Sequence, residues 1–254
     1  MTRVKICGCR RIEDALAAAA AGADFVGVMF AESRRRVGVE EAAEIVRALG
    51  PPLLASDVAS PPTPAVSGGA DDLRAWFEHG AAALERMLAR KRPLTVGVFA
   101  GSDPDEINDI ADESGIDLVQ LSGGERWEIG LLANRQVIKS LAIGPEDDVQ
   151  SATARIRAGS ALRRAQGGPL AVLLDRAEAG AYGGTGKALD WGVAAAVAAA
   201  MPLWLAGGLT PENVSVAVAR VRPWCVDVSS GVETDGVKDA AKIRAFVQAA
   251  KGAE

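Results

Sequence analysis

Cys7 and Asp175 are the two side chains whose types and settings best suit proton transfer. Cys7 ends a short apolar run and precedes Gly8, and Asp175 ends the apolar run Leu170–Leu174. A thiolate can take up a proton, and a carboxylic acid whose pKa is raised by apolar surroundings or a like charge can donate one. We therefore expect Cys7 to be a general base and Asp175 to be a general acid.

Each of the two residues also has a purely structural interpretation. A cysteine within a strand is often a small buried hydrophobic residue, and an aspartate after a strand can cap the following turn. A free thiol has a pKa of about 8.5, so a base at this position needs a nearby cation to favour the thiolate. Lys5, Arg35 and Lys139 are the candidates for that cation.

Two glycine-rich turns in the last quarter of the chain are suited to binding phosphate. They read Ala206-Gly207-Gly208 and Ser229-Ser230-Gly231. Where side chains are small or missing, backbone N–H groups and a short helix N-terminus can approach an anion closely. Each turn alone fits an ordinary tight connection. Together they predict a phosphate site formed by Gly207, Gly208, Ser230 and Gly231.

The elements that must position these residues are apolar runs alternating with helix-period stretches. Eight runs are almost continuously apolar, which is typical of buried parallel strands. They are Val4–Gly8, Phe25–Phe30, Leu94–Ala100, Asp117–Leu121, Val137–Leu141, Leu170–Asp175, Pro202–Ala206 and Cys225–Ser229. Eight such units predict a single α/β domain over residues 1–254, a (β/α)₈ TIM barrel. A doubly wound sheet is the rival, but it usually has fewer strands and a Gly-rich first turn, and no G-x-G-x-x-G follows the first run.

In such a barrel the active site lies at the carboxyl ends of the strands. Cys7, Asp175 and both glycine turns are predicted to lie there. Strand alternation also places polar pairs on one common face: Lys5 with Cys7, Gln120 with Ser122, and Asp227 with Ser229. Polar groups that converge on a barrel interior need partners, which favours a ligand site.

The segment 51–93 interrupts the alternation between the second predicted helix and the third strand. It begins with Pro51-Pro52, continues through a stretch rich in Ser, Pro and Gly, and ends in a charged amphipathic run. We expect an insertion on the bottom face of the barrel, with a loop in its first half and a surface helix in its second. Four residues at near-helical spacing would form the docking face of that helix: Leu73, Phe77, Leu84 and Leu88.

Composition excludes several functional classes. The chain has 254 residues and a net charge of −5, which predicts no affinity for nucleic acid or an anionic membrane. The three cysteines predict a reducing cytoplasm rather than a disulfide scaffold, and Cys9 and Cys225 are expected to be packing residues. His79 is the only histidine, so we expect no multi-histidine metal site.

Five motifs fall in order on the predicted strand ends and loops. They are Lys5-Ile6-Cys7-Gly8, Gln120-Leu121-x-Gly123, Gly183-Gly184-Thr185-Gly186-Lys187, Leu205-Ala206-Gly207-Gly208-Leu209 and Asp227-Val228-Ser229-Ser230-Gly231-Val232-Glu233. Apart from about Pro51–Pro93, the chain resembles the phosphoribosylanthranilate isomerase family from end to end. The resemblance implies a cofactor-independent Amadori rearrangement of N-(5-phosphoribosyl)anthranilate, a step of tryptophan biosynthesis.

The resemblance also implies a role for individual residues. Cys7 would be the general base and Asp175 the general acid, and Arg35 in the register Ser33-x-Arg35 would hold the anthranilate carboxylate. Asp227 would contact the sugar. The phosphate would bind to Gly207, Gly208, Ser230 and Gly231. The implied ligand is a small phosphorylated molecule, with no cofactor and no metal, in a monomer or a homodimer.

Three departures from the family pattern leave alternatives open. The first departure is in the motif that begins at Gln120, where Ser122 replaces the family's histidine and Gly124 replaces the acidic residue that follows. The second is Arg34 in place of proline. The third is Arg10 in place of a frequent threonine. One alternative is the sister phosphosugar isomerase of histidine biosynthesis, which uses aspartate in place of Cys7. The other is a barrel that binds a phosphorylated ligand without turnover, which the missing histidine would fit.

Overall fold

The computed structural model describes residues 1–53, 71–161, 168–176 and 191–253. Within these ranges, eight parallel strands pair in sequence order, and the first also pairs with the last. The strands are β1 Arg3–Cys7, β2 Phe25–Met29, β3 Leu94–Phe99, β4 Leu118–Leu121, β5 Gln136–Ile143, β6 Ala171–Arg176, β7 Trp204–Leu205 and β8 Cys225–Val228. The predicted (β/α)₈ barrel is confirmed.

Helices connect the strands and surround the barrel. They are α1 Ile12–Ala20, α2 Val39–Ala48, α3 Asp71–Arg90, α4 Pro104–Ser114, α5 Ile129–Leu132, α6 Val149–Ala161, α7 Trp191–Ala200, α8 Val214–Val221 and α9 Ala240–Lys251. After β8 a 3₁₀ turn over Ser230–Val232 leads into the short hairpin β9 Glu233–Thr234 and β10 Val237–Lys238. The motif Gly183–Lys187 lies outside the described residues. No described helix combines the length and the apolar character that crossing a membrane requires.

Alternation along each strand separates two apolar layers. Outward side chains such as Ile6 and Val228 join the large cluster between strands and helices. Inward side chains such as Phe25, Leu118 and Trp204 form a second cluster inside the barrel. Several interior residues further along the strands, toward the carboxyl ends, are polar, and Lys5 and Asp227 are charged and buried.

Two buried carboxylates connect the amino ends of neighbouring strands. Asp24 precedes β2, and its Oδ2 accepts a hydrogen bond of 2.9 Å from the backbone N–H of Val4 on β1. Asp117 precedes β4, and its Oδ2 accepts bonds of 2.8 Å from both the backbone N–H and the hydroxyl of Thr95 on β3. Both carboxylates also pair with cations, including Arg3 with Asp24 and Lys91 with Asp117. These contacts fix the strand register at the end of the barrel opposite the carboxyl ends.

Helix α3 lies across the amino ends of the strands. The indole Nε1 of Trp76 donates a 2.9 Å hydrogen bond to the carbonyl of Pro169, just before β6. Arg3 at the start of β1 makes an ion pair of 2.6 Å with Glu85. Several α3 side chains join the apolar cluster inside the barrel, namely Ala83, Leu84, Met87 and Leu88.

The apolar face expected for this helix is buried as a whole. It consists of Leu73, Phe77, Leu84 and Leu88, all at most 6% exposed. The loop expected for the first half of the segment falls largely on residues 54–70, which lie outside the described residues. The helix therefore covers the barrel interior at the end away from Cys7 and Asp175.

Gly80 sets how closely α3 approaches the barrel, because a Cβ at this position would overlap the carbonyl oxygen of Leu170. An alanine inside a helix is otherwise favoured over glycine by about 1 kcal/mol. We expect Gly80→Ala to lower the melting temperature in spite of that gain, since overpacking costs about 1–3 kcal/mol. Thermal unfolding followed by circular dichroism measures the change.

Gly130→Ala is the matched control, because its Cβ would lie 3.5 Å from a methyl group of Val137, an ordinary contact. This variant should melt at or above the wild-type temperature. A Gly80→Ala protein as stable as Gly130→Ala would contradict the close approach of α3.

Candidate active site

Lys5, Cys7 and Asp227 meet on the inner face of the barrel. Lys5 is fully buried, and its Nζ lies 2.9 Å from Oδ2 of Asp227 on the adjacent strand β8. Gly27 on β2 leaves room for both β1 side chains, since a Cβ there would lie 3.0 Å from the sulfur of Cys7 and 3.2 Å from Cε of Lys5. The other carboxylate oxygen of Asp227 is buried and has no hydrogen-bond partner among the described residues.

The charge of Lys5 acts directly on Cys7. Burial raises the pKa of the Cys7 thiol above its ordinary value, and the Lys5 ammonium opposes that rise. Burial also disfavours the charged form of Lys5, but Asp227 and Cys7 outweigh it and keep the pKa of Lys5 above its ordinary value. Lys5 therefore places a positive charge beside the thiol, which favours its thiolate form.

The other two cysteines lack this setting. Burial raises the pKa of Cys9 to about 12, and it raises the pKa of Cys225 well above its ordinary value. Both side chains are 0% exposed and lie in apolar clusters. They occupy packing positions, as the sequence predicts.

Lys139 lies on the outward face of β5 and does not approach Cys7. Its neighbour Ile138 is in the inner cluster, so Lys139 points toward the helices, where its Nζ lies 2.9 Å from Glu125. Burial disfavours the charge on both partners. It holds the pKa of Lys139 below its ordinary value. For Glu125, the hydrogen bonds from Lys139 and from the backbone N–H of Gly101 outweigh burial and lower its pKa. Lys139 is excluded as the cation that supports the thiolate.

Asp175 stands at the carboxyl end of β6, where it is partly buried. Its Oδ1 accepts a 2.7 Å hydrogen bond from the backbone N–H of Arg176. Gly207 in the turn after β7 passes close by, since a Cβ on it would lie 3.3 Å from the same oxygen. The structure thus brings the predicted acid and the first predicted phosphate turn together.

Arg35 is buried beside Glu233 at the start of the β9–β10 hairpin. Its Nε and Nη2 donate to the two oxygens of Glu233 at 2.7 and 3.0 Å, which is a bidentate pair. Gly8, with φ +74°, allows this placement, because a Cβ there would lie 2.5 Å from Cδ of Arg35. The third guanidinium nitrogen, Nη1, makes no hydrogen bond to the described residues.

Glu233 is a buried carboxylate to which sequence reasoning assigned no role. Besides Arg35 it pairs with Arg34 at 2.6 Å and with Lys238 at 2.7 Å. Burial opposes its ionisation, but the hydrogen bonds from Arg35 and Lys238 outweigh burial, so its pKa lies below the ordinary value. Its position, directly after the second glycine turn, was the available signal.

The four predicted phosphate residues form two adjacent turns after β7 and β8. Gly207 and Gly208 have φ values of +90° and +70°. A Cβ on Gly231 would overlap the carbonyl oxygen of Leu209, so the second turn packs closely on the first. The backbone N–H groups of Gly207, Gly208, Ser230 and Gly231 donate no turn or loop hydrogen bond to the described residues.

The predicted inner-face pair on β4 is also present. Nε2 of Gln120 donates a 3.0 Å hydrogen bond to the Ser122 hydroxyl, while its Oε1 is buried without a partner in the part of the chain that the structure describes. No group of three or more metal-binding side chains occurs within the described ranges.

The closed barrel, with a thiol, a carboxylate and two glycine turns at the carboxyl ends of its strands, defines the class of (β/α)₈-barrel enzymes. A family model for N-(5'-phosphoribosyl)anthranilate (PRA) isomerase matches residues 64–249. The chain belongs to the phosphoribosylanthranilate isomerase family, as its motifs predict.

Individual relatives agree with this assignment. An N-(5'-phosphoribosyl)anthranilate isomerase from Dehalococcoides mccartyi is 37% identical over 254 residues, covering 100% of this chain and 98% of the relative. The crystal structure of phosphoribosyl anthranilate isomerase from Thermotoga maritima is 33% identical and superposes with a TM-score of 0.70, covering 99% of this chain and 100% of the other. A further structure of the enzyme, in complex with reduced 1-(o-carboxyphenylamino)-1-deoxyribulose 5-phosphate, is 30% identical, with a TM-score of 0.67 over 99% of this chain and 100% of the other.

Removal of the Lys5 charge should make Cys7 harder to ionise. We expect Lys5→Met to shift the pH dependence of Cys7 alkylation by iodoacetamide to higher pH. At a fixed pH, each unit by which the pKa of Cys7 rises should slow the labelling roughly tenfold. The rates are read at the Cys7 peptide by mass spectrometry.

Lys91→Met is the matched control, because Lys91 makes a buried pair of 2.7 Å with Asp117 at the opposite end of the barrel. Both variants lose a buried ion-pair partner and should lose stability. An equal shift in the two variants, or none in Lys5→Met, would show that Lys5 does not set the reactivity of Cys7.

Proposed function

We propose that this member of the family isomerises N-(5-phosphoribosyl)anthranilate to 1-(2-carboxyphenylamino)-1-deoxyribulose 5-phosphate, with Cys7 as general base and Asp175 as general acid. One observation carries the proposal: a thiol and a carboxylate lie at the mouth of the same barrel. The Cys7 thiol is beside the buried Lys5 cation, and Asp175 is close to Gly207. This acid–base pair needs no cofactor.

The chemistry divides into two proton transfers. Asp175 gives its proton to the ring oxygen of the furanose as the bond between that oxygen and C1 breaks, and the nitrogen lone pair forms a C1=N double bond. The resulting iminium cation acidifies the proton on C2. The Cys7 thiolate removes that proton, and its electron pair forms C1=C2 while the C=N electrons return to nitrogen. The enolamine tautomerises to the ketose when C1 gains a proton and the C2 hydroxyl loses one. The proton held by Cys7 returns through solvent to Asp175, so atoms and charge balance without an oxidant or reductant.

Each remaining part of the substrate has a complementary group at the barrel mouth. The free Nη1 of Arg35 is available for the anthranilate carboxylate, as a charge-assisted hydrogen bond. The unpartnered Oδ1 of Asp227 is an acceptor for a sugar hydroxyl. The phosphate would receive backbone N–H groups from Gly207 and Gly208 in the first turn and from the second.

The cellular location and the assembly state that we propose for this enzyme are those expected from the sequence. A reducing cytoplasm is supported by three free, buried cysteines, Cys7, Cys9 and Cys225. For assembly we retain a monomer or a homodimer, and light scattering of the purified protein distinguishes the two.

Replacing either member of the acid–base pair should abolish most turnover while leaving binding intact. We expect Cys7→Ala and Asp175→Asn each to lower kcat by roughly 10²–10⁴, because each removes one proton-transfer step. Turnover is followed by loss of substrate fluorescence, and binding of the reduced product analogue by calorimetry.

Cys225→Ala provides the control for the cysteine, since Cys225 is equally buried but lies in the apolar cluster below the site. It should keep kcat within a few-fold of wild type. Wild-type turnover in Cys7→Ala or Asp175→Asn would refute the assignment of that residue.

The phosphate turns are tested at Ser230, since it carries no positive φ and heads the 3₁₀ turn after β8. Ser230→Asp would place a carboxylate where a dianion should bind, so affinity for a phosphorylated ligand should fall by more than about tenfold. A ligand that lacks the phosphate should bind as before.

Ser230→Ala separates charge from loss of the hydroxyl and should affect phosphorylated ligands far less. The phosphate assignment fails if Ser230→Asp weakens ligands with and without phosphate to the same extent. Calorimetric titration of both ligands with both variants gives the comparison.

A further inference from the structure

Gln120 carries a buried hydrogen-bond acceptor without a donor. The residue is 4% exposed, and among the described residues its Oε1 has no hydrogen-bond partner. The other end of the amide is engaged, since Nε2 donates to the Ser122 hydroxyl at 3.0 Å. In this arrangement the Ser122 hydroxyl accepts from the amide nitrogen, and the carbonyl oxygen is left unsatisfied. A buried acceptor in this state carries a desolvation penalty that a ligand donor removes.

The strand pairing shows where this oxygen belongs. Gln120 shares a face of β4 with Leu118 and pairs with Ile138 on β5, and both of these neighbours are in the cluster inside the barrel. Gln120 thus faces the barrel interior, the same space into which Lys5 and Asp227 project. Neither proton transfer of the proposed reaction uses it.

The ring of strands indicates which donor reaches Gln120. In the order β1 to β8, strand β4 lies across the barrel from β8, and the predicted phosphate turns follow β7 and β8. A substrate whose phosphate lies in those turns extends its aromatic half across the barrel mouth, past the wall that contains β4. On that half the carboxylate is only an acceptor, and the amine N–H is the donor.

We propose that Oε1 of Gln120 accepts a hydrogen bond from the N–H that joins the aromatic ring to the sugar, and that Ser122 positions the amide for it. The inference rests on the proposed function. Because the nitrogen becomes positively charged in the ring-opened iminium ion, its N–H is then a stronger donor. The bond therefore favours the transition state over the bound substrate and contributes to kcat more than to KM.

A pair of ligands isolates this single bond. The first ligand is the reduced product analogue, which is 1-(2-carboxyphenylamino)-1-deoxyribulose 5-phosphate reduced at its carbonyl. It carries the N–H. The second ligand is the matching ether, in which oxygen replaces that nitrogen. We expect the wild-type enzyme to bind the amine about tenfold more tightly than the ether. Gln120→Met, which keeps the length of the side chain but lacks the amide, should bind both ligands equally.

Gln136→Met is the control, because Gln136 is exposed at the start of β5, and it should keep the wild-type preference. In steady-state kinetics Gln120→Met should lower kcat by about tenfold with a much smaller change in KM. Its melting temperature should equal or exceed that of wild type, since the variant removes a buried, unsatisfied carbonyl. A merely structural glutamine would lower it.

A Gln120→Met enzyme that retains the preference for the amine, or weakens both ligands equally, overturns the proposal. If that variant does not fold, Ser122→Ala supplies the test, since release of the amide nitrogen should reduce the preference for the amine, and an undiminished preference would count against the positioning. Failure of the proposed function is a separate result, namely a wild-type enzyme that neither turns over the substrate nor binds either analogue.

Discussion

Lys5 and Asp227 hold opposite charges 2.9 Å apart inside the barrel, on the first and last strands of the ring. Loss of either partner would leave a buried ion without water and without a counter-charge, at a cost of about 3–5 kcal/mol. The pair therefore fixes the strand that carries Cys7 relative to the strand that leads into the second phosphate turn. A hydrogen bond of 3.1 Å from the Ser229 hydroxyl to the Cys7 carbonyl ties the same two strands one step further along. The positions of Cys7 and of the glycine turn after β8 are thus coupled through the pairing of β1 with β8.

The barrel separates this polar end from an apolar one. Below Lys5 the interior is filled by aromatic and aliphatic side chains, with the rings of Phe25 and Trp204 4.6 Å apart, and α3 closes that end. Such packing supplies the hydrophobic free energy that offsets the desolvation of the charged groups above it. Side chains at the amino end, including Trp76 of α3, contribute to stability without contact with Cys7 or Asp175. Helix α3 thus adds packing at the amino end, away from the residues at the carboxyl ends of the strands.

Much of the fold was predictable because parallel strands buried on both faces leave a strong local signal in the sequence. The eight runs were assigned correctly, although the seventh, predicted as Pro202–Ala206, is reduced to Trp204–Leu205, since ladder pairing with β6 and β8 limits it. Residues brought together by distant segments were not predictable in detail. The sequence offered Lys5, Arg35 and Lys139 as candidates for the cation beside Cys7. They are distinguished by strand register and by their partners, since Arg35 pairs with Glu233 and Lys139 with Glu125. Alternation did place Gln120 on the inner face, but an unsatisfied amide oxygen is a property of three-dimensional packing.

The arrangement around Glu233 concentrates positive charge on one part of an acidic protein. The chain has a net charge of −5, yet this one carboxylate is surrounded by Arg34, Arg35 and Lys238. One negative charge does not neutralise three positive ones, so the rim between β2 and the β9–β10 hairpin keeps a local excess of positive charge. Surface potentials of this kind act on an approaching ligand through the local distribution of charge rather than through the net charge. Glu233 engages Nε and Nη2 of Arg35, so the bidentate pair holds this guanidinium in a single orientation.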